Sequence, residues 1–199
     1  MSRHLPAARA RLVASLLAVS GLVTACGTST GLVDAEAPPG KRPLTEPAVW
    51  PEGVETFEVS SNRHVEGDID YDRSPPAGGD HSNVWQNCGI YDEPVEDGQA
   101  VHSLEHGAVW ITYRPDLPDE QVQRLHDLVG SGGYVLLSPY EGLDFPIALS
   151  AWGVQLKLDD AADERAERFV TEYANGPQTL EPGAPCTGGV GEPLTPSAT

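Results

Sequence analysis

The sequence predicts one α+β domain, with a small, mainly antiparallel sheet and about two helices, preceded by a long irregular loop region. Two observations lead to this fold class. From residue 108 onward, the apolar patterns follow the order strand, helix, strand, strand, helix, which is typical of a sheet with helices on one face. Residues 60–98 show little periodicity and contain the turn-forming string Ser74-Pro75-Pro76-Ala77-Gly78-Gly79. A long loop inside a compact domain is often functional.

The individual elements follow from local patterns. Residues 55–59 can form a short strand, and residues 108–113 are β-branched and aromatic, which predicts another. Pro118 can begin a helix that runs to about Val129, because apolar residues recur at helical spacing and Gly130 follows. The remaining elements are a strand at 134–137, alternation within 147–158 with Gly153 as a candidate bulge, and a helix after Asp160 with the apolar face Ala166, Phe169, Val170 and Tyr173.

The first 25 residues have the pattern of an export signal. Three arginines precede an apolar run at residues 12–23, which is shorter than the roughly 20 residues of a membrane-spanning helix. The run ends in Val23-Thr24-Ala25-Cys26, which resembles a lipobox. We therefore expect residues 1–25 to be a lipoprotein signal peptide, and Cys26 to carry a lipid that anchors the exported chain to the outer face of the cell membrane. The alternative is a secreted protein in which Cys26 is incidental.

Two segments flank the predicted domain. Residues 26–51 are rich in Pro, Gly, Thr and Ala, so we expect a flexible tether between the lipid and the domain. The domain itself is expected at residues 52–188. Residues 189–199 are again rich in Pro and Gly, and we expect a disordered tail there.

Charge and composition exclude some functions. The chain has 12 basic and 30 acidic residues, and the signal peptide contains three of the basic ones, so nine basic and 30 acidic residues leave the mature chain near −21. A surface this negative repels phosphate backbones, and we expect no nucleic-acid binding. The only methionine is Met1, so the mature protein cannot form a blue-copper site with an axial methionine.

Three cysteines leave one odd thiol in an exported protein unless one of them is modified. With a lipid on Cys26, Cys88 and Cys186 remain as a pair. A disulfide between them would close a loop of about 100 residues and stabilise the domain by about 4 to 5 kcal/mol in the chain-entropy model. The alternative is that Cys88 is a thiolate metal ligand and Cys186 is free.

Most histidines of the mature chain cluster in or beside the irregular region, whereas His126 lies on the helix predicted after Pro118 and is expected at the surface. The cluster contains His64, His81, His102 and His106. If residues 102–106 formed a strand, His102 and His106 would lie about 13 Å apart, at roughly 3.3 Å per residue. In a helical turn, they share one face with a rise of about 6 Å. A metal ion shared by His102 and His106 therefore requires this segment to be helical.

These residue types suit zinc or copper. His102, His106 and a third imidazole such as His81 would supply three ligands, with a fourth position for water, a carboxylate or His64. Glu105 could bind the ion, act as a base on a bound water, or orient an imidazole. The alternative is that the histidines hydrogen-bond a tight turn without any ion. The string also matches the H-x-x-E-H pattern of some zinc proteases, but Gly107 and a β-rich segment follow where those proteases have long helices.

Several strings together resemble one bacterial family. They are His64-Val65, Pro75-Pro76-Ala77-Gly78-Gly79-Asp80-His81, Cys88-Gly89-Ile90-Tyr91, Val101-His102-Ser103-Leu104-Glu105-His106-Gly107 and Ser150-Ala151-Trp152-Gly153. On these strings the chain resembles the domain of unknown function 3105 (DUF3105), from about residue 55 to residue 186. The resemblance implies that the four clustered histidines and Glu105 belong to one site. Asp80 departs from the family, in which we expect a non-acidic residue, and this leaves the local loop conformation open.

The sequence therefore predicts an extracytoplasmic lipoprotein that binds a transition metal, zinc or copper, or a small ligand, for capture, delivery or sensing. One alternative is a metal-dependent hydrolase or redox enzyme in which Glu105 moves a proton on a metal-bound water. Another is an envelope interaction protein with structural histidines. The sequence indicates the membrane as a partner, through the lipid on Cys26. The sequence specifies no protein partner.

Overall fold

A computed structural model describes residues 51–130 and 133–196 of the chain. The signal peptide, Cys26 and all but the last residue of the predicted tether lie outside these residues. In chain order the elements are β1 (Glu55–Thr56), β2 (His64–Val65), β3 (His81–Ser82), β4 (Gly89–Ile90), α1 (Asp97–Glu105), β5 (Val109–Tyr113), α2 (Asp119–Val129), β6 (Val135–Pro139), β7 (Ile147–Ala151), β8 (Val154–Leu158), α3 (Arg165–Tyr173) and β9 (Thr195–Pro196).

The main sheet has seven strands in the order β1-β8-β7-β5-β6-β4-β9, and β2 and β3 form a separate two-stranded ribbon. Four of the six pairings in the main sheet are antiparallel, and the pairings of β6 with β5 and with β4 are parallel. The predicted α+β class with a mainly antiparallel sheet is confirmed.

Alternate side chains of β5 enter two different cores, because successive residues of a strand point to opposite faces. Val109 and Ile111 belong to the core that contains Leu125 of α2 and Phe169 of α3. Trp110 belongs to a second core, formed with α1. Burial of each such side chain stabilises the fold by roughly 1.5 to 3 kcal/mol. The structure therefore differs from the expectation of helices on one face, since α2 and α3 cover one face and α1 covers the other.

Helix α1 is the helix that the apolar pattern does not predict. Seven of its nine residues are buried, and they include His102, Ser103 and Glu105. A helix that is covered on nearly all sides, partly with polar side chains, lacks the single apolar stripe by which a surface helix is recognised. Residues 51–130 and 133–196 consequently contain one helix more than the two that were expected.

Gly153 lies in a turn and not in a bulge. Strands β7 and β8 pair from Ile147 with Leu158 to Ala151 with Val154, which leaves Trp152 and Gly153 as a two-residue connection. Gly153 has a φ of +71°, a conformation that favours glycine. Its N–H donates to the carbonyl of Ala77 at 2.7 Å, and its carbonyl accepts from the N–H of Phe57 at 2.8 Å. The turn thereby attaches the irregular region to the sheet.

Cys88 and Cys186 form a disulfide pair, with Cα atoms 5.4 Å apart. The N–H of Cys88 donates to the carbonyl of Cys186 at 2.8 Å, and both residues are buried. The pair agrees with the sequence prediction and removes the alternative in which Cys88 is a thiolate metal ligand and Cys186 is free. Beyond Cys186, the chain returns to the sheet as β9, which pairs with β4. No helix in the described part of the chain is long and apolar enough to cross a bilayer.

Candidate metal centre

Helix α1 brings three of the candidate residues to one place. His102 and Glu105 lie in its last turn and His106 follows as its C-terminal cap, with the N–H of His106 donating to the carbonyl of His102 at 3.2 Å. Positions three and four apart are neighbours on a helix surface. The helical geometry that a shared ion requires in this segment is therefore present.

The ribbon of β2 and β3 supplies the other two histidines. The strands are parallel and His64 is paired directly with His81, so the two rings lie side by side with centroids 4.8 Å apart. Both rings also contact His102, at centroid distances of 4.7 Å for His64 and 4.9 Å for His81. The ribbon and α1 thus bring together residues that are 38 positions apart in the chain, from His64 to His102.

Four residues form a group that could hold a metal ion, with one ligand atom from each and all four atoms within 4.8 Å of one another: His64, His81, His102 and Glu105. Oε2 of Glu105 lies 2.9 Å from Nε2 of His81 and 3.6 Å from Nε2 of His64. The side chain of His64 is 45% exposed, whereas that of Glu105 is 3% exposed. Three of the four residues are therefore buried, and His64 is exposed.

The orientation of three imidazoles is set by backbone carbonyls. Nδ1 of His81 lies 2.8 Å from the carbonyl oxygen of Gly79, Nδ1 of His102 lies 2.7 Å from that of Ser82, and Nδ1 of His106 lies 2.8 Å from that of Pro185. Because a carbonyl oxygen only accepts, each Nδ1 carries the hydrogen and donates. In the neutral rings Nε2 is then the atom with a free lone pair. Metal-binding histidines in proteins are commonly held in this way.

Two contacts in the centre bring acceptor atoms against each other. Nε2 of His81 is buried without a hydrogen-bond partner among the described residues, although Oε2 of Glu105 lies 2.9 Å away. Nε2 of His102 lies 3.0 Å from Nε2 of His106. With neutral rings, both contacts are repulsive unless a cation, either a proton or a metal ion, lies between the two atoms.

Burial lowers the pKa of His102 to about 4, against the opposing effect of its hydrogen bond to the carbonyl of Ser82. The neighbouring imidazoles of His106, His81 and His64 lower this pKa further. At neutral pH the ring of His102 is consequently uncharged, which is the form that binds metal ions.

Side chains around the centre hold Glu105 and enclose the rings. Nδ2 of Asn62 donates to Oε1 of Glu105 at 3.0 Å. The ring of Trp152 meets that of His81 edge-on at 5.8 Å, and the ring of Trp85 lies 4.9 Å from that of His106. These aromatic walls reduce access of water, which strengthens electrostatic interactions inside the centre.

Asp80 links the two loops that carry His64 and His81. Its carboxylate accepts hydrogen bonds from the guanidinium of Arg63 at 2.6 Å and from the backbone N–H of Arg63 at 3.1 Å, and it also contacts the hydroxyl of Ser61. The guanidinium of Arg63 and this hydroxyl hold the pKa of Asp80 well below its usual range. Asp80 therefore joins the residues that precede the two strands of the ribbon, beside the centre.

The structure separates the remaining candidates. His106 contacts His102 and lies 3.5 Å from Oε2 of Glu181, outside the group of four. His126 lies on α2, where its side chain is half-buried, whereas a surface position was expected. The contacts of Asn62 with Glu105 and of Glu181 with His106 were not predicted from the sequence. No local pattern marks either residue, and Glu181 lies 75 positions beyond His106 in the chain.

A cleft of about 610 Å³ lies beside the ribbon without containing any of the histidines. It is lined by Val65 and Ser82, which alternate with His64 and His81 along the strands, so it lies on the opposite face of the ribbon. The acidic side chains that line it are Glu66, Asp68, Glu96 and Asp97.

A family model described as "Protein of unknown function (DUF3105)" matches residues 64–188, which include the whole centre and the disulfide pair. No curated protein and no solved structure matches the chain.

Proposed function

The chain belongs to the DUF3105 family, and we propose that it binds one divalent transition metal ion through three histidines and a carboxylate: His64, His81, His102 and Glu105. The observation that carries this proposal is the 2.9 Å contact between Nε2 of His81 and Oε2 of Glu105. Neither atom has a hydrogen to donate when the ring is neutral. An ion bound to both atoms replaces a repulsive contact with two metal–ligand bonds.

The ligand types favour zinc or copper. Neutral imidazole nitrogen is the common ligand of both ions, and a carboxylate oxygen completes a four-ligand zinc site. The burial that keeps His102 uncharged also favours its use as a ligand at neutral pH. The side chain of His64 is 45% exposed, so one ligand of the centre is in contact with solvent.

We propose that the centre works outside the cytoplasm, on a chain anchored by a lipid on Cys26. Two features support this location. The leader has the charged start, apolar run and lipobox-like end of a lipoprotein signal. The pair formed by Cys88 and Cys186 is of a kind that persists in oxidising compartments.

Binding is favoured over catalysis by the surroundings of Glu105. Its Oε1 accepts a hydrogen bond from Asn62, and its Oε2 lies against His81. A carboxylate that shuttles a proton to a bound water needs one oxygen free to reach that water. Here both oxygens are engaged, which suits a ligand or an orienting group.

Elemental analysis of the full chain, purified in detergent without a histidine tag, tests the proposal. We expect about one equivalent of zinc or copper after incubation with the ion and removal of excess. His81→Asn keeps an amide N–H near the position of Nδ1, for the carbonyl of Gly79, and removes Nε2, so it should lose the ion. His126→Asn removes a histidine on α2 and should retain it.

Thermal unfolding with and without a chelator supports the same test. Wild type should melt about 5 to 10 °C higher with the ion, because ligand at 100 times its Kd adds about 2.7 kcal/mol. Fewer than about 0.2 equivalents in wild type, or equal binding by His81→Asn, would overturn the proposal.

A further inference from the structure

We propose that the ion occupies two adjacent positions that share His102, and that the second position is formed with His106 and Glu181. This inference rests on the proposed metal binding and specifies how the ion reaches the first position, among His64, His81 and Glu105. The second position lies toward the segment that follows α3.

Distances around His106 fit ligands of one ion. Nε2 of His106 lies 3.0 Å from Nε2 of His102 and 3.5 Å from Oε2 of Glu181. Two ligands with bonds of about 2.0 to 2.2 Å, at angles between about 90° and 110°, are separated by about 3 to 3.5 Å. Both separations are in this range without any movement of the side chains.

The hydrogen bond of His106 determines which of its atoms faces His102. Nδ1 donates to the carbonyl of Pro185, so Nε2 is the acceptor atom of the neutral ring. A purely structural histidine would be satisfied by this bond, with Nε2 directed at water or a donor. Instead, Nε2 of His106 faces another acceptor and a carboxylate, an arrangement that is favourable only when a proton or a metal ion lies between these atoms.

Side-chain exposure falls from Glu181 to His106 and His102, the three ligands of the second position, which form a row. The side chain of Glu181 is 52% exposed and that of His106 is 5% exposed. His102 is buried and contacts the residues of the first position. The row therefore leads from solvent at Glu181, through His106, to His102.

His102 can bind only one ion at a time, because its Nδ1 is hydrogen-bonded to the carbonyl of Ser82 and only Nε2 remains. The two positions are consequently occupied in turn. The ion keeps its bond to His102 while its bonds to Glu181 and His106 break and bonds to Glu105 and His81 form. No electron is transferred, and each ligand that leaves is replaced by another.

The segment that carries Glu181 is attached to α1. The N–H of Glu181 donates to the carbonyl of Glu105 at 3.1 Å, and Cys186 ends the segment at its pair with Cys88. The backbone of Glu105 thus holds Glu181 at the end of α1, beside His106. The side chain of Glu105 belongs to the first position.

The rate of Cu²⁺ binding tests this route. Copper quenches tryptophan fluorescence, and Trp85 and Trp152 lie 4.9 Å and 5.8 Å from rings of the centre, so stopped-flow fluorescence of the full chain reports arrival of the ion. The variants are His106→Asn, which keeps a donor for the carbonyl of Pro185, and Glu181→Gln. His126→Asn is the matched control.

We expect both variants to bind one ion at equilibrium but to load it about 10-fold more slowly, and to release it to a chelator more slowly by a similar factor. His126→Asn should behave as wild type. Unchanged rates in both variants would overturn the second position. A loss of affinity above about 100-fold in His106→Asn would also overturn it, because His106 would then be a ligand of the main position. Absence of both copper and zinc binding by wild type would instead defeat the proposed function.

Discussion

The carboxylate of Asp80 accepts a hydrogen bond from the guanidinium of Arg63 at 2.6 Å, and these residues immediately precede His81 and His64. One exposed ion pair thus connects the loops that lead into both strands of the ribbon. Exposed ion pairs contribute little to global stability. The contact can nevertheless fix the separation of the two rings, to which metal binding is sensitive.

Asp80→Asn is therefore expected to weaken metal binding by about 10-fold and to leave the melting temperature of the metal-free protein nearly unchanged. Isothermal titration with Zn²⁺, together with thermal unfolding in chelator, measures both quantities. Asp116→Asn breaks another exposed pair, with Arg114, and is the matched control. Equal zinc affinity in the two variants would show that the link between the loops does not position the histidines.

Glu105→Gln should reduce zinc affinity by about 100- to 1000-fold. A four-ligand site contributes about 10 to 16 kcal/mol, so one ligand accounts for about 2.5 to 4 kcal/mol. Competition with a fluorescent zinc chelator gives the Kd, and Glu93→Gln, an exposed position, is the control. A variant that keeps wild-type affinity but loses a hydrolytic activity of the wild-type protein would instead identify Glu105 as a proton shuttle.

His102 predicts a pH dependence of stability in the metal-free protein. Its folded pKa of about 4 lies below its ordinary value of 6.5, so the unfolded chain takes up a proton at higher pH than the folded one. The contribution of His102 to the free energy of unfolding is fully present above pH 6.5 and is lost as the pH falls toward 4. Urea unfolding in chelator from neutral pH to pH 4 should therefore show a steeper loss in wild type than in His102→Asn. Parallel curves would contradict this prediction.

Cys26→Ser is expected to move the chain from the membrane fraction to the soluble fraction and to prevent incorporation of labelled palmitate. A single cysteine carries the proposed lipid, so its loss removes the anchor completely. Ser29→Ala, three residues away, should remain in the membrane fraction and should be labelled. If Cys26→Ser stays in the membrane fraction, another part of the chain is the anchor.

Local patterns were sufficient for the second half of the domain. Val122, Leu125 and Val129 recur at helical spacing, and β5 is rich in β-branched and aromatic residues, because these elements bury one stripe or face against a core. Local patterns were insufficient for α1, where His102, Ser103 and Glu105 are buried beside Ala100 and Leu104. Buried polar residues conceal the period by which a helix is recognised.

By itself, the sequence indicated the candidate residues of the centre and the class of the fold. Histidines and a carboxylate in one string, together with two further histidines in the loop region, indicate metal-ligand chemistry whatever the geometry. Only the tertiary structure decided that the ribbon places His64 beside His81, that both meet His102, and that His106 lies toward Glu181. The physical reason is that backbone pairing and carbonyl hydrogen bonds between segments up to 79 positions apart orient these rings, and no local pattern encodes such contacts.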